Sequence, residues 1–331
     1  MGAGPMETDS PTETVTPAAV DRAAGALREY LDPTPLQSSL ALSQKAGCRV
    51  HLKIESIQPT RSFKVRGALN KLIRMTPERR SAGLITASAG NHGLGVAYAA
   101  RVFAVPARVH VPEGANRLKV EAIRRLAGQV VERGASYQEA FREAERARAR
   151  TGATLVHAYD DAEVIAGQGT VAVEILQQLP DVDTVLVPVG GGGLISGIAL
   201  YLKAHRPSVR VVGVEPSGAD AMTRSLGAGH PVSLASVVTA ADGLAASATG
   251  KLTFEIARRC VDRMIRVEEP EMLQAIRLLF EWEHLLAEPA GAAAAAALLF
   301  HYAPEAEERV VVMLSGANVT DRVMVESLAS R

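Results

Sequence analysis

Cysteine is nearly absent. Cys48 and Cys260 are the only two in 331 residues, far apart and without a CxxC or CxxH neighbourhood. That excludes a disulfide framework and a zinc ribbon, and it suits a reducing cytosol. Net charge is missing as well: 36 Lys+Arg face 36 Asp+Glu, so neither a nucleic-acid nor a membrane-surface specialist is indicated. Aromatics make up only 4%. The longest apolar stretch, 290–300, is about half the roughly 20 residues that span a bilayer, and its six consecutive alanines suit a tightly packed buried helix. The opening MGAGPMETDSPTETVTP lacks a basic start and an apolar run of signal-peptide length. Residues 1–17 are therefore expected to be a disordered tail on a cytoplasmic protein.

What is present is a 47% apolar chain long enough for two cores, which stop growing at roughly 250 to 300 residues, or for one elaborated α/β domain. From Gly83 onward short β-branched runs alternate with longer helical patterns. Strands are predicted at 84–87, 108–111, 129–132, 154–157, 184–189, 210–214, 264–267 and 310–314. Helices are predicted near 93–103, 116–127, 136–150, 163–178, 194–205, 270–286 and 291–302. Runs such as VLVPV and VVVML are apolar throughout, as when both sheet faces carry helices, so a doubly wound parallel α/β architecture follows. The expected division is a small lobe, 83–159, and a large one from 18–82 and 160–331. Ligands of such sheets bind where strands end.

Four loops draw attention. In VPVGGGGLISG a strand meets Gly190, Gly191, Gly192 and Gly193, and then a helix opens at Leu194. Four glycines suit a backbone that cradles one phosphate at a helix N-terminus, or a tight turn with close helix packing. The dinucleotide GxGxxG spacing and the P-loop lysine are both missing. In PTRSFKVRG, Lys64 stands between Phe63 and Val65 in a chain with seven lysines against 29 arginines. Apolar flanks lower an amine's pKa toward Schiff-base chemistry, although an ordinary amphipathic lysine fits the segment equally. TASAGNHG gathers Ser88, Ala89, Gly90, Asn91 and His92 after a strand, a set that could receive a carboxylate or could simply be an N-capped helix. MLSGANV ends the last strand on the hydroxyl of Ser315.

Taken together, SFKVRGA, SAGNHG, VPVGGGG, EPAGA and LSGAN, in that order, resemble the fold-type II pyridoxal-phosphate enzymes, within them the serine/threonine dehydratase and serine racemase group. The resemblance covers about 35–319. It implies that Lys64 holds pyridoxal phosphate as a Schiff base, with Phe63 on one ring face and Gly243 on the other. It further implies Asn91 at the phenolic oxygen, Gly190 to Gly193 with Leu194 at the phosphate, Ser315 at the pyridine nitrogen, and Ser88 to His92 at the substrate carboxylate. The chain departs from the family with Arg61 and Ala317 for glycines and Leu94 for glutamine. Arg61 and Leu94 are expected beside the substrate, where Arg61 could clamp a second carboxylate or point to solvent. Glu215 and the Ala219 carbonyl match a cation site whose second acid is here Ala221, so only weak magnesium, calcium or a monovalent ion is expected.

The implied activity is a dehydratase, or ammonia-lyase, of L-threonine, L-serine or a related β-hydroxy amino acid. Its rivals are a racemase on the same scaffold, a lyase of an unusual β-hydroxy amino acid, and a catalytically idle binding protein. A β-replacement enzyme fits less well, because its lysine loop reads more like SxKDR. Elimination is favoured over racemisation because Ala89 stands where the racemases carry a second serine. With little chain after the last strand, no isoleucine-binding regulatory domain is expected. Expected partners are the amino-acid substrate and further copies in a dimer or tetramer, with no nucleic acid or membrane.

Overall fold

The computed structural model describes residues 14–115, 117–126 and 128–329. Most of the expected tail, 1–13, lies outside them, as do the end residues 116 and 127 of one expected helix. The strands are β1 (Leu36–Ser39), β2 (Arg49–Ile54), β3 (Leu84–Ala87), β4 (Ala107–Val111), β5 (Gln129–Glu132), β6 (Thr154–Leu155), β7 (Thr184–Pro188), β8 (Arg210–Pro216), β9 (Arg263–Val267) and β10 (Arg309–Leu314). They form a six-stranded sheet, β1-β2-β10-β7-β8-β9, and a four-stranded sheet, β5-β4-β3-β6. Pairing is parallel throughout, except that β1 runs antiparallel to β2 at an edge.

Strand chemistry explains the layers. Successive side chains alternate across a sheet, so β10 sends Val310, Val312 and Leu314 into one core and Val311 and Met313 into the other. Both cores are helix-covered, hence the unbroken apolar run. The alanine-rich segment forms the helix Pro289–Phe300, buried from Pro289 to Leu298 and packed on β7, β8, β9 and β10. The expected tail ends earlier than residue 17. Val15 is buried in the core around Ile165, and Thr16 caps the helix Pro17–Leu27. The expected strand 154–157 stops at Leu155, and Ala158 and Tyr159 beyond it line the site.

Glycines set how closely the helices beneath the site approach. A methyl on Gly67 of the helix Lys64–Arg74 would stand 2.8 Å from Val164 O, and one on Gly167 2.7 Å from Gly67 Cα. On the same helix, Ala162–Gln178, a methyl on Gly169 would stand 2.9 Å from Gly197 O of the helix Gly193–His205. One helix thus touches, backbone to backbone, the two that carry Lys64 and the glycine loop. The helix Asn91–Val102 reaches the same cluster through Gly95, whose Cβ would lie 3.1 Å from Lys64 C. The Lys64 helix shares its apolar core with β3, β4 and that third helix, so the expected boundary at residue 83 does not coincide with a break in packing.

Candidate active site

The N-termini of the helices starting at Lys64, Asn91, Tyr137, Gly193 and Pro289 and the ends of β3, β7 and β10 line a cavity of about 630 Å³. Phe63, Lys64, Ser88, Ala89, Gly90, Asn91, His92, Gly190 to Gly193, Leu194, Gly243 and Ser315 all line it. Lys64 sits in the first turn of its helix rather than in a loop. Its Nζ donates to Ala158 O at 2.8 Å and lies 5.2 Å from the Phe63 ring centroid. Burial holds this amine down to about 8. The turn is anchored from below by Arg66, whose buried guanidinium reaches Glu55 at 2.7 Å and Glu174 at 2.6 Å. From the side, Phe63 N–H donates to Ser315 O at 3.1 Å, and Ser62 bridges Gly316, so two distant motifs meet here.

The glycine loop bends at Gly192, φ +95, a conformation that side chains disfavour. No side chain caps the helix that follows among the described residues, which leaves its first N–H groups to the cavity. A Cβ on Gly191 would stand 2.3 Å from the Tyr159 ring, so the loop's glycines also serve close packing against an aromatic wall. In the third loop neither Ser88 nor Asn91 caps its helix. Ser88 Oγ accepts from Gly90 N at 3.2 Å, while Asn91 bonds Glu288 and Asn318. His92 is buried, with Nε2 2.9 Å from Val156 O, and burial pulls it down to about 3, so it is a neutral ring at neutral pH. Ser315 Oγ donates to Ala290 O at 3.3 Å.

One expectation is corrected, that Leu94 stands beside the substrate. Leu94 does not face the cavity; it is 6% exposed in a core with Val109, Val120 and Ile123. Arg61 is exposed and outside the cavity lining. Its φ of 58 is the left-handed conformation that glycine adopts most readily, which accounts for the family's preference there. Glu215 is fully buried, its oxygens accepting from Met222 N and Thr223 N, each at 2.8 Å, and from Thr223 Oγ1 at 2.6 Å. It serves the start of the helix Ala221–Ala228, and burial still pushes it up to about 7. Ala219, its expected companion, is buried, and the described residues hold no group of three His, Cys, Asp or Glu able to bind a metal.

Other wall residues carry no signal in the sequence motifs: Tyr137, Gln138, Ala158, Tyr159 and Lys119; Glu288, also in the wall, opens EPAGA, but the resemblance implies no role for it. Asp160, next to Tyr159, accepts from Lys251 N at 3.0 Å and Leu252 N at 2.8 Å, which fastens this wall to the helix Lys251–Cys260. Lys119 pairs with Asp242 between the two sides, and Gln138 Nε2 donates to Ser247 Oγ at 3.4 Å.

The sequence profile of the pyridoxal-phosphate dependent enzymes matches residues 27–316. The chain belongs to that family. It is 40% identical to an L-threonine ammonia-lyase of Thermotoga maritima over 317 residues, which cover 96% of this chain and 79% of that protein. It is 36% identical to a serine racemase of Oryza sativa over 318 residues, 95% of this chain and 94% of the relative. The solved structure of maize serine racemase superposes with a TM-score of 0.91 at 34% identity, covering 95% of this chain and 97% of that one.

The cavity of this pyridoxal-phosphate family member fits the group the family uses. A buried amine, a side-chain-free loop opening a helix N-terminus, and a neutral hydroxyl at Ser315 suit, in turn, an aldehyde, a phosphate and a pyridine nitrogen. No helix among the described residues is long and apolar enough to cross a membrane.

Proposed function

We propose that this chain is a pyridoxal-phosphate-dependent ammonia-lyase that converts L-threonine, L-serine or a related β-hydroxy amino acid to a 2-oxo acid and ammonia. The similarity to L-threonine ammonia-lyases along 96% of the chain supports the reaction class. The observation that carries elimination over racemisation is the buried amine of Lys64 in the cavity, with a methyl group rather than a hydroxyl at Ala89 in the neighbouring loop.

Lys64 would hold the cofactor, the N–H groups from Gly190 to Leu194 its phosphate, Ser315 its ring nitrogen and Asn91 its phenolic oxygen, with Phe63 and Gly243 against the ring faces. When bound, pyridoxal phosphate supplies an electron sink for the pair left at the substrate α-carbon. The Ser88 to His92 loop would receive the substrate carboxylate through its N–H and hydroxyl donors. Once released, the Lys64 amine is the base that takes the α-proton. The β-hydroxyl leaves with a proton as water, and the resulting enamine takes up water and loses ammonia. A racemase needs a second proton-exchanging group on the opposite face, and the Ala89 methyl cannot be one. The test is product partitioning: L-serine and L-threonine should give 2-oxo acid with little D-amino acid by chiral chromatography. D-serine formed as fast as pyruvate would refute the reading.

A cation at Glu215 and the Ala219 carbonyl would compete with the three donors already on that carboxylate, so any such ion should bind weakly; activation by micromolar magnesium or calcium is the contrary result. A homo-oligomer suits the exposed Leu40, Trp282 and Leu286, the first two of which adjoin Ser39 and Glu283, a pair joined by a hydrogen bond at 2.5 Å. Sedimentation tests the oligomer, and cell fractionation tests the expected cytoplasmic address.

A further inference from the structure

The glutamate of the EPAGA segment takes no part in the chemistry above. Glu288 is 2% exposed and stands in the cavity wall just before the helix Pro289–Phe300. Its Oε1 accepts the Asn91 amide N–H, while Oε2, also buried, has no hydrogen-bond partner among the described residues. An unpartnered buried carboxyl oxygen costs free energy unless something reaches it.

The surrounding bonds fix which atom donates. The Thr60 carbonyl can only accept, so the Asn318 atom 2.9 Å away is Nδ2. That same Nδ2 donates to Asn91 Oδ1 at 2.7 Å, which turns Asn91 Nδ2 toward Glu288. Space for the pair is kept by glycine. A Cβ on Gly316 would stand 2.3 Å from Glu288 Oε1, and a Cβ on Gly291 2.1 Å from Gly316 O. EPAGA and LSGAN therefore close around one carboxyl and one amide.

We infer that Glu288 is a positioning residue of this site: its bond to Asn91 fixes the amide edge turned to the cavity, and its open Oε2 holds one exchangeable proton there. Ionised, Oε2 accepts; protonated, it donates. The step is proton uptake alone, H⁺ adding to a carboxylate lone pair with no other bond made or broken. The role rests on the pyridoxal-phosphate reading only in that Asn91 is taken to meet the cofactor.

Six other ionisable groups share this cavity wall: Asp242 on the turn Asp242–Leu244, Lys119 on the helix Arg117–Arg125, Lys64, the neutral His92, and the phenols of Tyr137 and Tyr159, both pushed up by burial. Burial first and Asp242 second push Glu288 up to about 7, against Lys119 and the Asn91 bond. Both protonation states are thus populated near neutrality.

The experiment follows the visible absorption of the cofactor-loaded protein against pH. The wild type should show an inflection near neutrality that is lost in Glu288→Gln, which keeps an acceptor for Asn91 but cannot titrate. The inflection should also move up in Lys119→Met and down in Asp242→Asn; removing a neighbouring charge moves any titrating group the same way, so the loss in Glu288→Gln is what assigns it. An inflection retained in Glu288→Gln, or none in the wild type, overturns the assignment. If Glu288→Gln fails to load, an unmoved inflection in Lys119→Met still removes the role, and support comes from the stability comparison of the cofactor-free proteins. Borohydride reduction with peptide mapping separates this from the functional reading, because wild type without a pyridoxyl adduct on Lys64 refutes that reading alone. The stability of the cofactor-free protein then decides the role of Glu288. A carboxyl raised from 4.5 to about 7 in the folded state stabilises it most at low pH. The melting temperature of wild type minus that of Glu288→Gln should therefore fall as pH rises through that window, and a flat difference overturns the role.

Discussion

The two sides of the cavity are built differently. On the six-stranded side the wall is largely backbone: the glycine loop, the Gly243 turn and the Gly316 junction are held by helices that touch at Gly167, Gly169, Gly197 and Gly291. On the four-stranded side it includes side chains such as Ser88, Lys119, Tyr137 and Gln138, on a sheet that carries the small clusters around Ile123 and Ala144 and shares a third, through Leu84 and Ala107, with the Lys64 helix. The sides meet through polar pairs, Lys119 with Asp242 and Gln138 with Ser247. Backbone contact tolerates almost no displacement, whereas exposed polar contacts break at small cost. The glycine-loop wall would therefore hold the cofactor, while the rim joined by Lys119 and Gln138 should be the cheaper part of the cavity to displace.

The largest expected effect comes from the group shared by both sides. Lys64→Ala should lower 2-oxo acid release by about 10² to 10⁴ or more, the range for losing a positioned base; activity within tenfold of wild type would break the comparison at its centre. Next is the backbone wall. In Gly191→Val the new atoms must displace the Tyr159 ring, 2.3 Å from the first of them, and overpacking of about 1 to 3 kcal/mol should appear as weaker cofactor affinity on titration. Adding Tyr159→Ala should restore part of it, which sharpens the claim that this loop is limited by space.

The capture of pyridoxal phosphate by cofactor-free protein adds a pH signature. Because burial lowers Lys64 to about 8, the attacking neutral amine is the minor form below that value and the major form above it. The capture rate should rise with pH and level off above about 8, and a rate still climbing past pH 10 would mean an ordinary exposed lysine.

Smaller effects belong to the four-stranded side. Leu94→Gln puts an amide into the Val109, Val120 and Ile123 core and should cost about 1 to 3 kcal/mol of stability in denaturant unfolding while KM stays unchanged. A shifted KM with intact stability would return Leu94 to the substrate. Least of all, Arg61→Gly relieves a left-handed φ but adds freedom to the unfolded chain, two terms of about 1 kcal/mol that oppose each other. Stability and KM should both hold within error, and a KM rise confined to a dicarboxylic substrate would restore the clamp.

Much of the site is legible in the sequence because its motifs lie at strand-to-helix junctions, where glycine and small polar residues are informative locally. The rest is long-range. Ala158, which accepts from Lys64, is 94 residues away, and Glu288 is 197 from Asn91, so no local pattern pairs them. Leu94 falls away from its expected place because three residues into a helix is about 4.5 Å along its axis, far enough to leave the cavity for the core. In the fold, β1 is a polar edge strand, LQSS, with no alternation to find. β2, RVHLKI, does alternate, with Val50, Leu52 and Ile54 turned into one core, a signal that lies upstream of the regular βα pattern beginning at Gly83. The two glycines inside the helix Ala162–Gln178 are readable too, since interior glycine is costly without a close neighbour.

That helix carries a warning for anyone seeking a hardier enzyme. Replacing interior helical glycine by alanine ordinarily strengthens a helix by about 1 kcal/mol, so Gly167 and Gly169 are the first positions a stabilisation campaign would choose. Here a methyl on Gly167 would wedge this helix off the beam carrying the amine, and one on Gly169 would wedge it off the beam carrying the glycine loop. The residues that look most improvable by local rules are thus the ones whose change would throw the whole catalytic frame out of alignment, at positions that do not line the cavity.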